Sequence, residues 1–274
     1  MAEAGVRRQV FAWSVYDLAN TIYSALFITL FFPAFVTNYL GGTEAHIGTV
    51  VGLSTIASVL VVPVVGALSD RMGRRMPFLI AFTILCCAAT AATSVVGLYG
   101  ALAMAVISNF FYSIALAVYD ALLPKLAPEG ERGTVSGLGT AVGYLGTPFS
   151  IAVLFLLRNR VDFDAEEGVR LTFLLTAGLF LLFALYPFLV IREPKRASGR
   201  TLAEDLKESF LAIGRTLRTV HRVPGFLMFL GAAFLFSNAI NAVIVFLYTF
   251  SKERLGLSPQ DFLPIYAGMA VAAV

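Results

Sequence analysis

The sequence predicts an all-α, multi-pass membrane protein: a six-helix bundle followed by the start of a second one, with about seven to eight spans present. Three observations carry that expectation. Of 274 residues 58% are hydrophobic and only 14% charged, and the mean hydropathy of +0.83 lies outside the soluble globular range. Uncharged runs long enough to cross about 30 Å of hydrocarbon recur along the chain. The basic residues fall between those runs in a one-sided pattern. With the amino terminus placed in the cytoplasm, fifteen Lys and Arg residues lie inside and five outside, as the positive-inside rule requires. The net charge of +3 therefore reads as topology, and nucleic acid is not an expected partner.

The spans are expected near 10 to 39, 46 to 69, 77 to 97, 99 to 122, 133 to 157, 170 to 191 and 223 to 250, with an eighth beginning near 260. Arg7 and Arg8 precede the first run in the manner of a signal peptide, but the run is too long and contains Asp17 and Asn20, so it reads as a retained helix. A carboxylate inside a first span costs about 3 kcal/mol or more unless it faces a partner or water. Asp17 should therefore face the bundle interior, either in ion coupling or as a structural carboxylate bonded to neighbouring helices. Asn20 lies one turn on, and Tyr16 and Tyr23 bracket the pair. Together they offer hydroxyl, amide and carboxylate groups to a polar or zwitterionic solute; for each Tyr, ordinary packing is the other reading.

The second and third runs are joined by Gly66-Ala67-Leu68-Ser69-Asp70-Arg71-Met72-Gly73-Arg74-Arg75. Gly73 can take a positive φ at little steric cost, and Gly66 lacks a side chain where helices would pack closely. Asp70 can accept from helix-end N–H groups or from an arginine, while Arg71, Arg74 and Arg75 mark the loop as cytoplasmic. Cys86 and Cys87 are adjacent in the third run with no other cysteine in the chain, which leaves no disulfide framework or metal site. On the fourth run Asn109 and Tyr112 stand at i and i+3, and Asp120 lies near the cytoplasmic end. The fifth opens with Glu131-Arg132-Gly133 and carries Gly133 with Gly137, and Gly139 with Gly143, spacings that let helix backbones approach.

Residues 1–191 thus form an expected N-terminal bundle, and 192–222 a cytoplasmic linker holding eight of the twenty Lys and Arg residues; 223–274 begin a second bundle. Within the linker Thr201 and Glu204 have capping-box spacing, and Leu202, Leu206, Phe210, Ile213, Leu217 and Val220 recur as one helix face. It is expected to lie as a strut against the bundle or lipid headgroups. The seventh run repeats the first: Val15-Tyr16-Asp17-Leu18-Ala19-Asn20-Thr21-Ile22 aligns with Phe236-Ser237-Asn238-Ala239-Ile240-Asn241-Ala242-Val243. Asn238 and Asn241 are therefore expected to face the same cavity as Asp17 and Asn20. The sequence stops at Val274 inside an apolar run, so a truncated or partial form of a longer bundle is expected, one of about twelve helices by the resemblance described next.

From Gly66 to Arg75 the sequence resembles the major facilitator superfamily, whose signature between its second and third helices reads G-x-x-x-D-R-x-G-R-R. Tyr16-Asp17-x-Ala19-Asn20, Ala121-Leu122-Leu123-Pro124 and the glycine pattern from Gly133 to Gly146 are similar to the vacuole-effluxer-like branch, which includes fungal vacuolar amino-acid exporters. The resemblance implies a major-facilitator-like bundle and a secondary transporter of a small polar solute, an amino acid being one candidate, with a proton or other ion as coupling partner and the bilayer as its setting. It implies no covalent chemistry and no cofactor. It also implies an Asp70, Arg74, Asp120 relay closing the cytoplasmic side. Two departures speak against a drug/proton antiporter: no Arg on the fourth span, and Gly146-Thr147-Pro148 in place of the antiporters' Gly-Pro signature. An enzyme is disfavoured, since no nucleophile elbow or phosphate-cradling loop is present and His46 and His221 fall at opposite membrane faces. A non-transporting receptor or scaffold on the same fold is the other reading.

Overall fold

The computed structural model describes residues 2–193, 202–219 and 224–272, and the described residues are helical with no strand. Six helices are long and apolar enough to cross a membrane: α1 (Val6–Tyr39), α2 (Glu44–Met72), α3 (Met76–Val95), α4 (Leu98–Leu126), α5 (Glu129–Leu157) and α6 (Glu166–Val190). Three further helices follow: α7 (Leu202–Thr219), α8 (Phe226–Leu255) and α9 (Pro259–Ala272). The expected seventh run is thus a single helix whose apolar part is Phe226–Ile240, and the eighth is a 14-residue helix, short for a span.

Helix ends follow local chemistry. Thr43 and His46 form a reciprocal capping box at the start of α2. Its far end closes on Gly73 at φ 63°, where the Gly73 N–H donates to the Asp70 carbonyl at 3.1 Å and the Arg74 N–H to that of Ser69 at 3.2 Å. Pro77 in the first turn then starts α3, since a proline there forfeits no helical hydrogen bond. In α1, π-helical turns over Ser24–Phe31 and Phe35–Tyr39 flank Pro33, which can donate no backbone bond. Helix α5 breaks at Tyr144 and Leu145, one turn before Pro148, for the same reason.

Helix α1 is the axis of the bundle and packs on α5 and α6, while α2 packs on α4, and α3 on α4 and α6. Its contact with α6 is aromatic: Phe27 and Phe35 both meet Phe173 edge-on, with centroids 5.4 and 5.2 Å apart. Leu53, Ile56, Val59 and Leu60 on α2 and Leu182, Leu185 and Leu189 on α6 are exposed, a pattern suited to hydrocarbon and not to water. At the end of α3 away from the Gly66–Arg75 hairpin, Arg170 donates to the Ser94 and Val96 carbonyls at 2.7 and 3.2 Å and pairs with Glu166 at 2.7 Å, tying α3 to α6.

Helix α7 packs along α2, as a strut would. Thr201 and Val220 lie outside the described residues, as does His221, and Phe210 is half exposed. Helix α8 touches the C-terminal half of α1, where Asn38 donates to the Tyr248 hydroxyl and accepts from Lys252.

Candidate functional site

Three glycines of α5 let α1 approach at backbone distance. A Cβ added at Gly139 would fall 2.3 Å from the Trp13 ring, at Gly143 2.3 Å from Asp17 Oδ2, and at Gly146 2.5 Å from the Leu18 carbonyl. Gly133 and Gly137 face open space, so of the two expected glycine pairs only the second is a contact, extended by Gly146. On the other side of α1, the Trp13 ring lies flat on Tyr119 of α4 at 4.5 Å, and its Nε1–H donates to the Tyr119 carbonyl at 3.2 Å. Tyr16 stacks on Tyr119 at 5.1 Å. Residues 17 and 120 each follow one of these stacked tyrosines, and their carboxylates stand within electrostatic reach of each other.

Asp17 is half-buried. Asn20, one turn on, is only 3% exposed, and neither atom of its amide has a partner of hydrogen-bonding geometry, although the Asp17 carboxylate is its near neighbour. The two tyrosines expected beside them are engaged elsewhere: Tyr16 bonds Thr83 at 2.6 Å, and Tyr23 bonds Ser108 at 2.8 Å. Ser108 in turn reaches Thr90 at 2.7 Å, giving a buried hydroxyl cluster that joins α1, α3 and α4. Both hydroxyls therefore act in helix packing. Asn109 donates to Ser54 at 2.6 Å, tying α4 to α2, and the Tyr112 ring packs on Tyr23 in a tilted pair with centroids 4.6 Å apart. Asn238 is exposed and donates to its own helix at the Phe234 carbonyl, 2.8 Å away. The side chain of Asn241 lies outside the described residues. Of the expected solute-facing set, Asp17 and Asn20 lie one turn apart on α1, Tyr112 packs on Tyr23, and Asn238 is exposed on α8.

At the hairpin between α2 and α3 the bridge forms through a different arginine from the one expected. Arg75 Nη2 lies 3.0 Å from Asp70 Oδ1, and Arg75 Nη1 donates to the Ala121 carbonyl at the end of α4. Among the described residues no hydrogen bond or ion pair involves the Arg74 side chain or the Asp120 carboxylate. The left-handed turn at Gly73 is the cause, because it directs residue 75, the N-cap of α3, back across α2 toward α4. Asp120, at the end of α4, is exposed and takes no part in the Asp70–Arg75 bridge in this structure. Arg71 ends α2 as a basic residue in its last turn. Nothing lies within 4 Å of a Cβ added at Gly66, so the close packing expected there is absent; Gly66 lines a cavity of about 130 Å³ with Val62, Ser69, Arg75 and Ala121.

Glu193, three residues beyond the end of α6 at Val190, is a candidate residue that pattern reading missed. Its Oε2 accepts the Arg75 and Met76 backbone N–H groups at 2.5 and 2.7 Å, and its Oε1 accepts Lys125 Nζ at 2.7 Å. It caps α3 and joins the start of α3 to the ends of α4 and α6. The available signal was an acidic residue placed directly after an apolar run, at Ile191-Arg192-Glu193-Pro194.

The family model described as Major Facilitator Superfamily matches residues 18–274. The chain is 25% identical over 285 residues to an uncharacterized MFS-type transporter, YxiO, of Bacillus subtilis (strain 168), covering 97% of this chain and 65% of that one. Among solved structures, a bacterial homologue of the human lysosomal transporter Spinster, inward-facing and unoccupied, superposes with a TM-score of 0.66 at 18% identity, covering 99% of this chain and 60% of that one. A D-xylose-proton symporter superposes with a TM-score of 0.53 at 17% identity, covering 98% and 64%. The chain thus spans less than two thirds of the length of these relatives.

Proposed function

This chain belongs to the Major Facilitator Superfamily, and from that membership we propose that it is a secondary transporter carrying a small polar solute by alternating access. The observation that carries the reading is the buried, unpartnered Asn20 amide beside the Asp17 carboxylate in the most enclosed helix of the bundle. An orphan amide in an apolar interior is unfavourable by about 1–3 kcal/mol and persists where another state of the protein, or a ligand, completes its bonds.

In this reading Asp17, Asn20 and Tyr112 contribute to the solute or ion site, and Asp70, Arg75 and Glu193 hold the cytoplasmic side. Residues 1–191 act as one bundle, 192–222 as the linker to the next. The amino terminus lies in the cytoplasm of a bacterial cell, consistent with the fifteen-to-five distribution of basic residues. The vacuole-effluxer-like motifs make amino acids the first solutes to try. A proton is the first coupling ion, since the superposed xylose transporter is a proton symporter by name. Uptake and efflux in reconstituted vesicles, with a panel of amino acids and sugars and an imposed pH gradient, test the proposal. Movement of at least one solute supports it; movement of none across the panel favours a receptor or scaffold built on the same fold.

A further inference from the structure

The second half of α5 packs on α9, and between them lies a cavity of about 730 Å³. That size falls within the range of ligand cavities, about 300–1,000 Å³. Each wall carries a proline, Pro148 of α5 and Pro264 of α9, which interrupts the hydrogen-bond ladder of its helix and keeps the two from packing along their whole length. The inner lining of Ile151, Leu154, Phe163 and Leu263 is buried, whereas Phe155 and Leu156 are 56% and 78% exposed, so the cavity opens sideways on the apolar surface of the bundle. Such walls suit a hydrocarbon chain better than water.

Two charged side chains line the same cavity. Arg158 directly follows α5 and Asp261 lies in the first turn of α9, so both stand at helix ends, where the headgroups of a bilayer lie. Their charges are opposite, yet among the described residues no ion pair joins them. The Arg158 guanidinium rests over the Phe155 ring, 3.6 Å from its centroid, and has no hydrogen bond or ion pair among the described residues. A phosphate offers it a stronger, two-pronged contact than the ring does. Asp261 Oδ2 accepts from the Ser258 hydroxyl at 2.9 Å, and Oδ1 has no hydrogen bond among the described residues.

We propose that this cavity binds one phosphatidylethanolamine molecule of the surrounding bilayer, with an acyl chain against Leu154 and Phe163, the phosphate on Arg158 and the ammonium on Asp261. The pairing of charges selects the headgroup. An anionic lipid would bring like charge to Asp261, and the trimethylammonium of a choline lipid has no N–H to donate to it, whereas a primary ammonium has three. The apolar lining and the sideways opening make the source a lipid and not a free zwitterion. The site uses neither Asp17 nor Asn20, so it stands or falls apart from the solute reading.

The experiment titrates the purified, delipidated protein in detergent with phosphatidylethanolamine, phosphatidylcholine or phosphatidylglycerol of identical acyl chains and counts bound lipid by native mass spectrometry. Wild type should bind the ethanolamine lipid about tenfold more tightly than the other two. Asp261→Asn should lower ethanolamine-lipid binding to the choline-lipid level, and Asp261→Glu should keep the preference. Arg158→Gln should weaken both of those lipids by about tenfold, while Arg160→Gln, an exposed arginine outside the cavity, should bind as wild type. Ala152→Leu narrows the cavity and should weaken all three lipids, and thermal unfolding verifies that each variant is folded. Equal binding of the three lipids by wild type, tightest binding of the glycerol lipid, or wild-type preference in Asp261→Asn would overturn the proposal. Displacement of the lipid by equimolar phosphoethanolamine, which has the headgroup without the chains, would overturn it in favour of a soluble zwitterion.

Discussion

Replacing Glu193 by Ala removes one carboxylate that three donors share, and the structure sets the size of the effect. The side chain is 6% exposed, and two of its donors are backbone N–H groups at the start of α3 that no helical carbonyl can satisfy. Loss of a capping acceptor at a helix start costs about 0.5–2 kcal/mol, and charge-assisted bonds lie at the upper end of the range. The Lys125 partner is 40% exposed, so screening reduces that pair to about 0–1 kcal/mol. Glu193→Ala should thus weaken the cytoplasmic closure by about 3 kcal/mol, and Glu193→Gln, which keeps one acceptor oxygen, by about half of that. If opening of this face breaks the same bonds, about 3 kcal/mol shifts the closed-to-open ratio by roughly a hundredfold. Ser69 is 2% exposed and lines the cavity behind Arg75, so Ser69→Cys places a thiol where only opening exposes it. Its labelling by an impermeant maleimide in inside-out vesicles should accelerate strongly in Glu193→Ala and moderately in Glu193→Gln. Cys86 and Cys87 are buried and supply the background control. Equal labelling rates in wild type and Glu193→Ala would refute the latch.

Three further outcomes follow from the same geometry. Asp17→Asn keeps the shape of the side chain but removes its titratable group, so coupled transport should fall while membrane insertion is unchanged; a wild-type rate with unaltered pH dependence would remove the coupling role. Gly143→Ala and Gly146→Ala force a methyl group onto Asp17 Oδ2 and the Leu18 carbonyl and should destabilise the bundle by about 1–3 kcal/mol, whereas Gly137→Ala, which faces open space, should be near neutral in thermal unfolding. Arg75→Ala should raise cytoplasmic labelling of Ser69→Cys well above Arg74→Ala, because only Arg75 reaches both Asp70 and Ala121; the reverse order would restore the Asp70, Arg74, Asp120 relay.

The parts of this architecture that local chemistry decides were legible in the sequence. Uncharged runs bounded by Gly, Pro and Arg have few alternatives to membrane helices, and Gly73 between two such runs has the one backbone conformation its neighbours resist. Asp17 stood out because a carboxylate in hydrocarbon is too unfavourable to lack a reason. What did not show was which side of each residue would meet a partner. Tyr16 and Tyr23 flank the polar pair in sequence, yet their hydroxyls reach Thr83 and Ser108, 67 and 85 residues away, and no periodicity encodes such a meeting. Glycines four apart occur twice on α5, and only the pair that the break before Pro148 turns onto α1 is in contact. The arginine next to the expected one makes the bridge for a similar reason: after a left-handed glycine, a shift of one position moves a side chain from solvent to the neighbouring helix. Glu193 closes the same face from 118 residues beyond Arg75, so its role depends on how α6 ends relative to α3. Asp120 is expected at the gate because it ends the fourth span, where the resemblance implies a partner for the hairpin arginine, whereas the bridge in the structure reaches the Ala121 carbonyl next to it. The α1 to α4 contact is decided in the same way, by the stacked rings of Trp13, Tyr16 and Tyr119, a meeting that no local pattern in either helix encodes.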